Sequence, residues 1–330
     1  MRVILFILVS VAFFTANAQS TSGITGEPDT SYSNYSAYIS TKKSYPGIKP
    51  VYEFHFEEIK EKKDIIYCTI GNRSLKLDAF YPDLDYKKGK PAIIIIHGGG
   101  WRTGNRTQHY PLAQKLASLG YACFTPEYRL STEALYPAGV HDIKASIRWL
   151  HAHANEYNID TSKITVLGFS AGGELAAFMG STNGIEKFEG NKECDANSSS
   201  WVHAIVDIDG ILAFIHPESG EGDDSKRTSA ATYWFGYSKT ENPGLWNEGS
   251  SLTHAGKQNP PTLFLNSSVA RMHAGRSDYI NVMNRYNIYT EVHEFENSPH
   301  SFCLFEPWFE PTVKYIDDFL KKVFGPNRSR

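Results

Sequence analysis

A mixed, mostly parallel β-sheet covered by helices on both faces is the fold class this sequence predicts. Three observations carry it: an early antiparallel strand pair, a continuous isoleucine strand, and a sustained alternation of strand and helix patterns after it. The pair is expected at residues 64–70 and 74–81, around a Gly71-Asn72 turn. Residues 91–97 contain Ile93-Ile94-Ile95-Ile96, a β-branched run suited to a strand buried on both sides. An amphipathic helix over 110–119 stops at Gly120, and 122–126 is the next strand. Val140, Ile143, Ile147 and Leu150 recur at helical spacing within 140–154. Residues 164–168 predict a strand, followed directly by a helix at 171–179. Strands at 203–209, 262–265 and 289–295, with helices near 277–286 and 312–324, complete the pattern.

With 330 residues, 41% of them hydrophobic, the chain holds enough apolar material for a sizeable core and too much for a disordered protein. Its formal net charge of -3 leaves no electrostatic footprint for nucleic acid or an anionic membrane. Residues 1–18 predict a signal peptide: Met1-Arg2, an apolar run over 3–14 too short to span a bilayer, and Ala16-Asn17-Ala18 before Gln19. Export to the periplasm or exterior, with cleavage after Ala18, follows from that reading. No later stretch is apolar enough for a transmembrane helix. Residues 19–50, rich in Ser, Thr, Tyr and Gly, are expected to be a flexible or loosely docked leader. One catalytic domain is expected over 51–330. Residues 210–258 interrupt its rhythm after the sixth core strand, as a lid over the ligand end of the sheet or as an extra structural layer.

Cys68, Cys123, Cys194 and Cys303 match no metal spacing. Cys68 and Cys123 fall in predicted strands and read as buried thiols; a disulfide is possible in an oxidising compartment, with its pairing open. His151-Ala152-His153 lies on a predicted helix, where residues two apart point to different sides, so it is a poor ligand pair. No metal or cofactor is expected.

The strongest chemical signal is Gly168-Phe169-Ser170-Ala171-Gly172, extended by Gly173, between a strand and a helix. In that context Gly-x-Ser-x-Gly is a nucleophile elbow: a strained turn lifts the Ser170 hydroxyl above the sheet, and the flanking glycines allow strand and helix to approach. The helix starting at Ala171 would aim N–H groups and its dipole at charge forming near Ser170. Upstream, His97-Gly98-Gly99-Gly100-Trp101 follows the isoleucine strand directly.

With these two motifs the chain resembles the hormone-sensitive-lipase and carbohydrate-esterase branches of the α/β hydrolases. The resemblance implies an α/β-hydrolase fold and ester hydrolysis. It makes Gly99 and Gly100, together with Ala171, the donors of an oxyanion hole, and His97 a structural support of the loop. It also implies the order nucleophile, acid, histidine, which makes His300 in Ser298-Pro299-His300-Ser301-Phe302 the general base. The acid departs from the usual pattern, because its customary slot falls near Ala270. Asp209, ending Val206-Asp207-Ile208-Asp209, is favoured; Asp278 and a dyad without an acid are the alternatives.

The altered loop, Asn266 to Asp278, places Arg271, His273 and Arg276 near the catalytic end of the sheet. Arginine can hold a carboxylate bidentately, so Arg271 and Arg276, with Trp101, are the candidate substrate-binding residues; pairing of the arginines with Asp278, Asp209 or Glu218 is the structural alternative. Together with Asp209-Gly210 and His216-Pro217-Glu218-Ser219, this loop is similar to exported bacterial esterases of plant cell-wall polysaccharide, including α/β-hydrolase pectin esterases. That resemblance implies an esterified plant polysaccharide or oligosaccharide as substrate, first a methyl ester of galacturonate in pectin, next an acetyl ester on pectin or xylan. A serine peptidase and a non-catalytic carbohydrate-binding relative are the readings from other classes.

Overall fold

The computed structural model describes residues 18–84, 86–190 and 193–325. Apart from Ala18, the predicted signal peptide lies outside them. β1 (Ile59–Ile70) and β2 (Arg73–Pro82) pair antiparallel around Gly71 and Asn72. Among the described residues six further strands complete this sheet: β3 (Lys90–Ile96), β4 (Ala122–Pro126), β5 (Ile159–Phe169), β6 (Ala204–Ile208), β7 (Thr262–Asn266) and β8 (Thr290–Glu294). The sheet runs β1-β2-β4-β3-β5-β6-β7-β8, and from β4 onward every neighbouring pair is parallel.

The helices are α1 (Asn34–Thr41), α2 (Tyr110–Ser118), α3 (Ala138–Ala152), α4 (Ala171–Ser181), α5 (Ala230–Phe235), α6 (Pro243–Glu248), α7 (Arg276–Arg285) and α8 (Phe309–Phe324). The pleat of β3 divides its isoleucines between two cores, because successive side chains point to opposite faces. Ile94 and Ile96 pack with Ile143 and Ile147 of α3 and Phe178 of α4. Ile93 and Ile95 pack with Leu112 and Leu116 of α2 and Phe319 and Leu320 of α8. Among the described residues no helix is long and apolar enough to cross a membrane.

Strand order positions the functional loops. β3 lies against β5 in a register that pairs Ile96 with Gly168, so the glycine loop after β3 and the serine turn after β5 leave the sheet side by side. β6 flanks β5 on its other side, with Ile208 opposite Phe169, and delivers Asp209 to the same edge. This is the carboxyl edge of a parallel sheet, where α/β proteins bind ligands.

Several boundaries depart from the sequence expectation. β1 begins at Ile59, because the charged stretch Lys60 to Lys63 lies on an edge strand where charge is tolerated, and a register shift separates Lys62 from Ile65. α8 begins at Phe309 and accommodates Pro311 in its first turn, where the missing N–H would have no helical acceptor.

Of the two expectations for 19–50, a flexible or a loosely docked leader, the flexible one is corrected. This segment contains α1, capped by Ser33, and a short strand, Lys49–Pro50, paired with Phe305–Glu306. Its Ala37 and Ile48 are buried in the second core. Its polar composition hid this docking, which rests on scattered tyrosines and backbone hydrogen bonds rather than on periodicity.

Cys68 and Cys194 form a disulfide that ties β1 to the segment after α4, while Cys123 and Cys303 are free and buried. Cys68 is buried as expected but bonded rather than a thiol, which is the disulfide the sequence leaves open, and Cys123 is a buried thiol as expected. A cross-link spanning 126 residues stabilises mainly by restricting the unfolded chain, by about 2–5 kcal/mol. The 210–258 insertion divides in two. Trp234, Phe235 and Trp246 are buried as a structural layer, whereas the stretch from Gly220 to Tyr233 faces the cavity at the carboxyl edge.

Candidate active site

Ser170 sits in the turn between β5 and α4 with φ 57° and ψ -121°, a backbone region that ordinary side chains seldom occupy. Tight packing permits it. A Cβ at Gly168 would overlap the Gly172 carbonyl, so strand and helix can meet only through glycine there. The Ser170 N–H donates to the Ile208 carbonyl at 2.8 Å, fixing the turn to β6.

Opposite it, His300 lies in the loop after β8. Its Nε2 is 2.8 Å from Ser170 Oγ, and its Nδ1 is 2.9 Å from Asp209 Oδ2. The carboxylate of Asp209 is fully buried and converged upon by donors. Oδ1 accepts from the Ser267 N–H at 2.7 Å and from Asn266 Nδ2 at 3.4 Å, and Oδ2 also accepts from Ser267 Oγ. With Asp209 accepting at Nδ1, the imidazole keeps its proton there and presents the Nε2 lone pair to the Ser170 hydroxyl. Asp278 is elsewhere, in the first turn of α7, where it is exposed and pairs with His216 at 3.1 Å.

The loop after β3 turns through Gly99, Gly100 and Trp101, all at positive φ. At Gly99 a Cβ would overlap the Thr103 carbonyl oxygen, so that position admits glycine alone. Among the described residues the N–H groups of Gly99, Gly100 and Ala171 have no protein acceptor, whereas the Gly98 N–H is taken up by Gln108 Oε1 at 2.7 Å. His97 stacks on Tyr128 behind the loop, and its Nδ1 meets the Gly98 carbonyl at 2.9 Å. Burial pushes its pKa down to about 4, so it is a neutral prop.

Ser170, His300, Gly99, Gly100 and Ala171 border a cavity of about 810 Å³. Arg271 lines it, half exposed, with Glu221 at 3.0 Å. Arg276 does not. Its guanidinium bonds Asn266 Oδ1 at 2.6 Å and Glu294 at 2.7 Å, so it orients the amide beside Asp209, and its expected place as a substrate residue is corrected. His273 likewise braces the Ser267 carbonyl at 2.9 Å. Trp101 borders the cavity but its ring is buried, stacked on Trp234 at 5.0 Å; substrate contact by that ring is corrected to a structural anchor. Sequence reading missed Tyr32, Arg102 and Arg227 of the cavity wall. Tyr32 belongs to the leader, and Arg227 to an insertion without periodicity, so no motif marked either. Arg102 was legible by adjacency, following the glycine motif directly.

Fold and site together define an α/β hydrolase in which a serine, a histidine and a buried aspartate lie in hydrogen-bond series. The BD-FAE family model matches residues 77–271, and the chain belongs to that family. Among individual proteins, the probable carboxylic ester hydrolase LipM of Mycobacterium tuberculosis is 35% identical over 159 residues, covering 47% of this chain and 37% of the relative. Esterase LipQ of the same organism is 28% identical over 214 residues, covering 64% and 49%. The chain thus spans half or less of the length of these relatives. A truncated carbohydrate esterase from gut microbiota superposes with a TM-score of 0.66 at 23% identity, over 83% of this chain and 100% of that one. Thermogutta terrifontis esterase 2 gives 0.65 at 22% identity, over 84% and 98%. At such identities the likeness establishes the shared fold.

Proposed function

We propose that this protein is a serine carboxylic ester hydrolase with Ser170 as nucleophile, His300 as general base and acid, and Asp209 as the orienting carboxylate. One observation carries the proposal: the 2.8 Å and 2.9 Å contacts that join Ser170, His300 and Asp209 beside N–H groups with no protein acceptor. His300 Nε2 takes the hydroxyl proton as Ser170 Oγ bonds to the ester carbonyl carbon. The carbonyl oxygen becomes an oxyanion facing the N–H groups of Gly99, Gly100 and Ala171. His300 returns the proton to the departing alkoxide, leaving an acyl-serine. Water, deprotonated by the same nitrogen, attacks that ester, and the acid leaves as Ser170 regains its proton.

The substrate in this reading is a plant cell-wall polysaccharide or its oligosaccharides, and the favoured ester is the methyl ester of galacturonate in pectin. Arg102, Arg227 and Arg271 on the cavity wall support it, because guanidinium groups suit the free carboxylates that flank a methylated unit. Similarity to a solved carbohydrate esterase supports a sugar ester more generally. Acetyl-ester hydrolysis on pectin or xylan is the second reading, since a compact acyl group would also fit beside Ser170. Export is part of the proposal: the apolar run near the N-terminus and the Cys68–Cys194 disulfide both suit an oxidising compartment outside the cytosol.

Incubation with methylated pectin, acetylated pectin and acetylated xylan tests it, with methanol and acetate measured as they are released. Methanol from methylated pectin is the expected product. Acetate alone would replace the methyl reading with the acetyl one, and release of neither would contradict both.

A further inference from the structure

α4 is buried along its whole length, and its one acidic side chain, Glu174, lies in the first turn behind Ser170. A carboxyl group there is costly, because a leucine of similar size would need no hydrogen-bond partner. Glu174 is 1% exposed. Its Oε2 accepts from the Trp101 indole N–H at 3.0 Å, and its Oε1 is buried without a partner. Burial, reinforced by the neighbouring Asp207, raises its pKa well above the usual carboxyl range.

Each end of this bond is fastened to one half of the oxyanion site. On the helix side, the Glu174 N–H donates to the Ser170 carbonyl at 3.0 Å, closing the turn that contains Ala171. On the loop side, Trp101 directly follows Gly99 and Gly100, and its carbonyl accepts from the Ser131 N–H at 2.8 Å. Gly99 and Gly100 take positive φ freely, but Trp101 at φ 56° adopts a conformation that its surroundings must hold. The Trp101 ring, stacked on Trp234 and 5.2 Å from Phe214, supplies a rigid lever for that purpose.

We propose that Glu174 is a positioning residue that sets the Gly99–Gly100 loop against the Ala171 N–H through its hydrogen bond to Trp101. The inference rests on the ester-hydrolase reading of the same site. Oxyanion stabilisation depends on donors placed to within a few tenths of an ångström, so slackening this link acts on the chemical step rather than on substrate binding.

The test is the kinetics of Glu174→Leu, Glu174→Gln and Trp101→Phe on p-nitrophenyl acetate, with melting temperatures alongside. Glu174→Leu is expected to lower kcat about 10- to 100-fold with KM changed less than about threefold. Glu174→Gln, which keeps an acceptor oxygen, restores kcat to within about threefold. Trp101→Phe removes the same bond from the other side and reproduces the kcat loss, which keeps the test decisive if Glu174→Leu does not fold. Unchanged kcat in Glu174→Leu or in folded Trp101→Phe overturns the proposal, as does Glu174→Gln no better than Glu174→Leu, or a loss confined to KM. A wild-type protein with no hydrolysis that depends on Ser170 would instead overturn the ester-hydrolase reading, a separate result.

Discussion

Ser170→Ala is expected to lose ester hydrolysis to the background rate, a fall on the order of 10⁶-fold in kcat, and to keep its fold. The loss is that of the attacking oxygen, for which no neighbouring group substitutes: His97 is buried behind the glycine loop, and the free thiols Cys123 and Cys303 are buried. The fold survives because the hydroxyl does little structural work. Ser170 makes no side-chain cap on α4, and the backbone bond from its N–H to Ile208 is indifferent to the substitution. Alanine retains the same Cβ in the same strained turn, so the melting temperature stays within a few degrees, about 1 kcal/mol. Initial rates on p-nitrophenyl acetate and a thermal melt of the same sample check both halves. Retained activity in the folded variant contradicts the role of Ser170.

Asp209→Asn is expected to lower kcat by about 10³- to 10⁴-fold. The hydrogen-bond partners of this carboxylate are all donors: the Ser267 N–H and hydroxyl, the Asn266 amide and the His300 Nδ1–H. An asparagine must turn its NH₂ toward one side. Facing His300, it forces the imidazole into the other tautomer, with Nε2 protonated and unable to accept from Ser170. Facing Ser267, it loses a buried acceptor of a backbone N–H. Asp278→Asn serves as the counterpart, since that carboxylate is exposed and paired with His216; its kcat is expected to change less than about twofold. A mild Asp209→Asn with a damaging Asp278→Asn reverses the assignment.

Local chemistry was legible wherever one short segment contained its own geometry. The serine turn needs glycines on both sides because strand and helix meet there, and Gly168 and Gly172 stand together in sequence. Alternation of the β3 isoleucines between two cores follows from strand pleat alone. Asp209 was harder, because its partnership with His300 depends on β6 lying beside β5, and no spacing within the chain encodes that. Arg276 read as a substrate residue for the same reason: only the folded loop shows Asn266 and Glu294 waiting for its guanidinium. Trp101 borders the cavity beside the glycines, but only the fold shows its ring buried against Glu174 and Trp234. Composition alone does not decide between a flexible and a docked leader, because docking through backbone hydrogen bonds, such as Ser20 N–H to the Gly236 carbonyl, leaves no mark on it. Disulfide pairing was equally hidden, since Cys68 and Cys194 are separated by 126 residues.

The proposed hydrolysis rests on Ser170 as a nucleophile activated by His300. The most direct measurement is labelling with a fluorophosphonate probe, followed by peptide mass spectrometry. One adduct per chain is expected, on the peptide containing Ser170, at a rate greatly reduced in His300→Ala. An adduct on another residue, or labelling of Ser170 at an undiminished rate without His300, would contradict it.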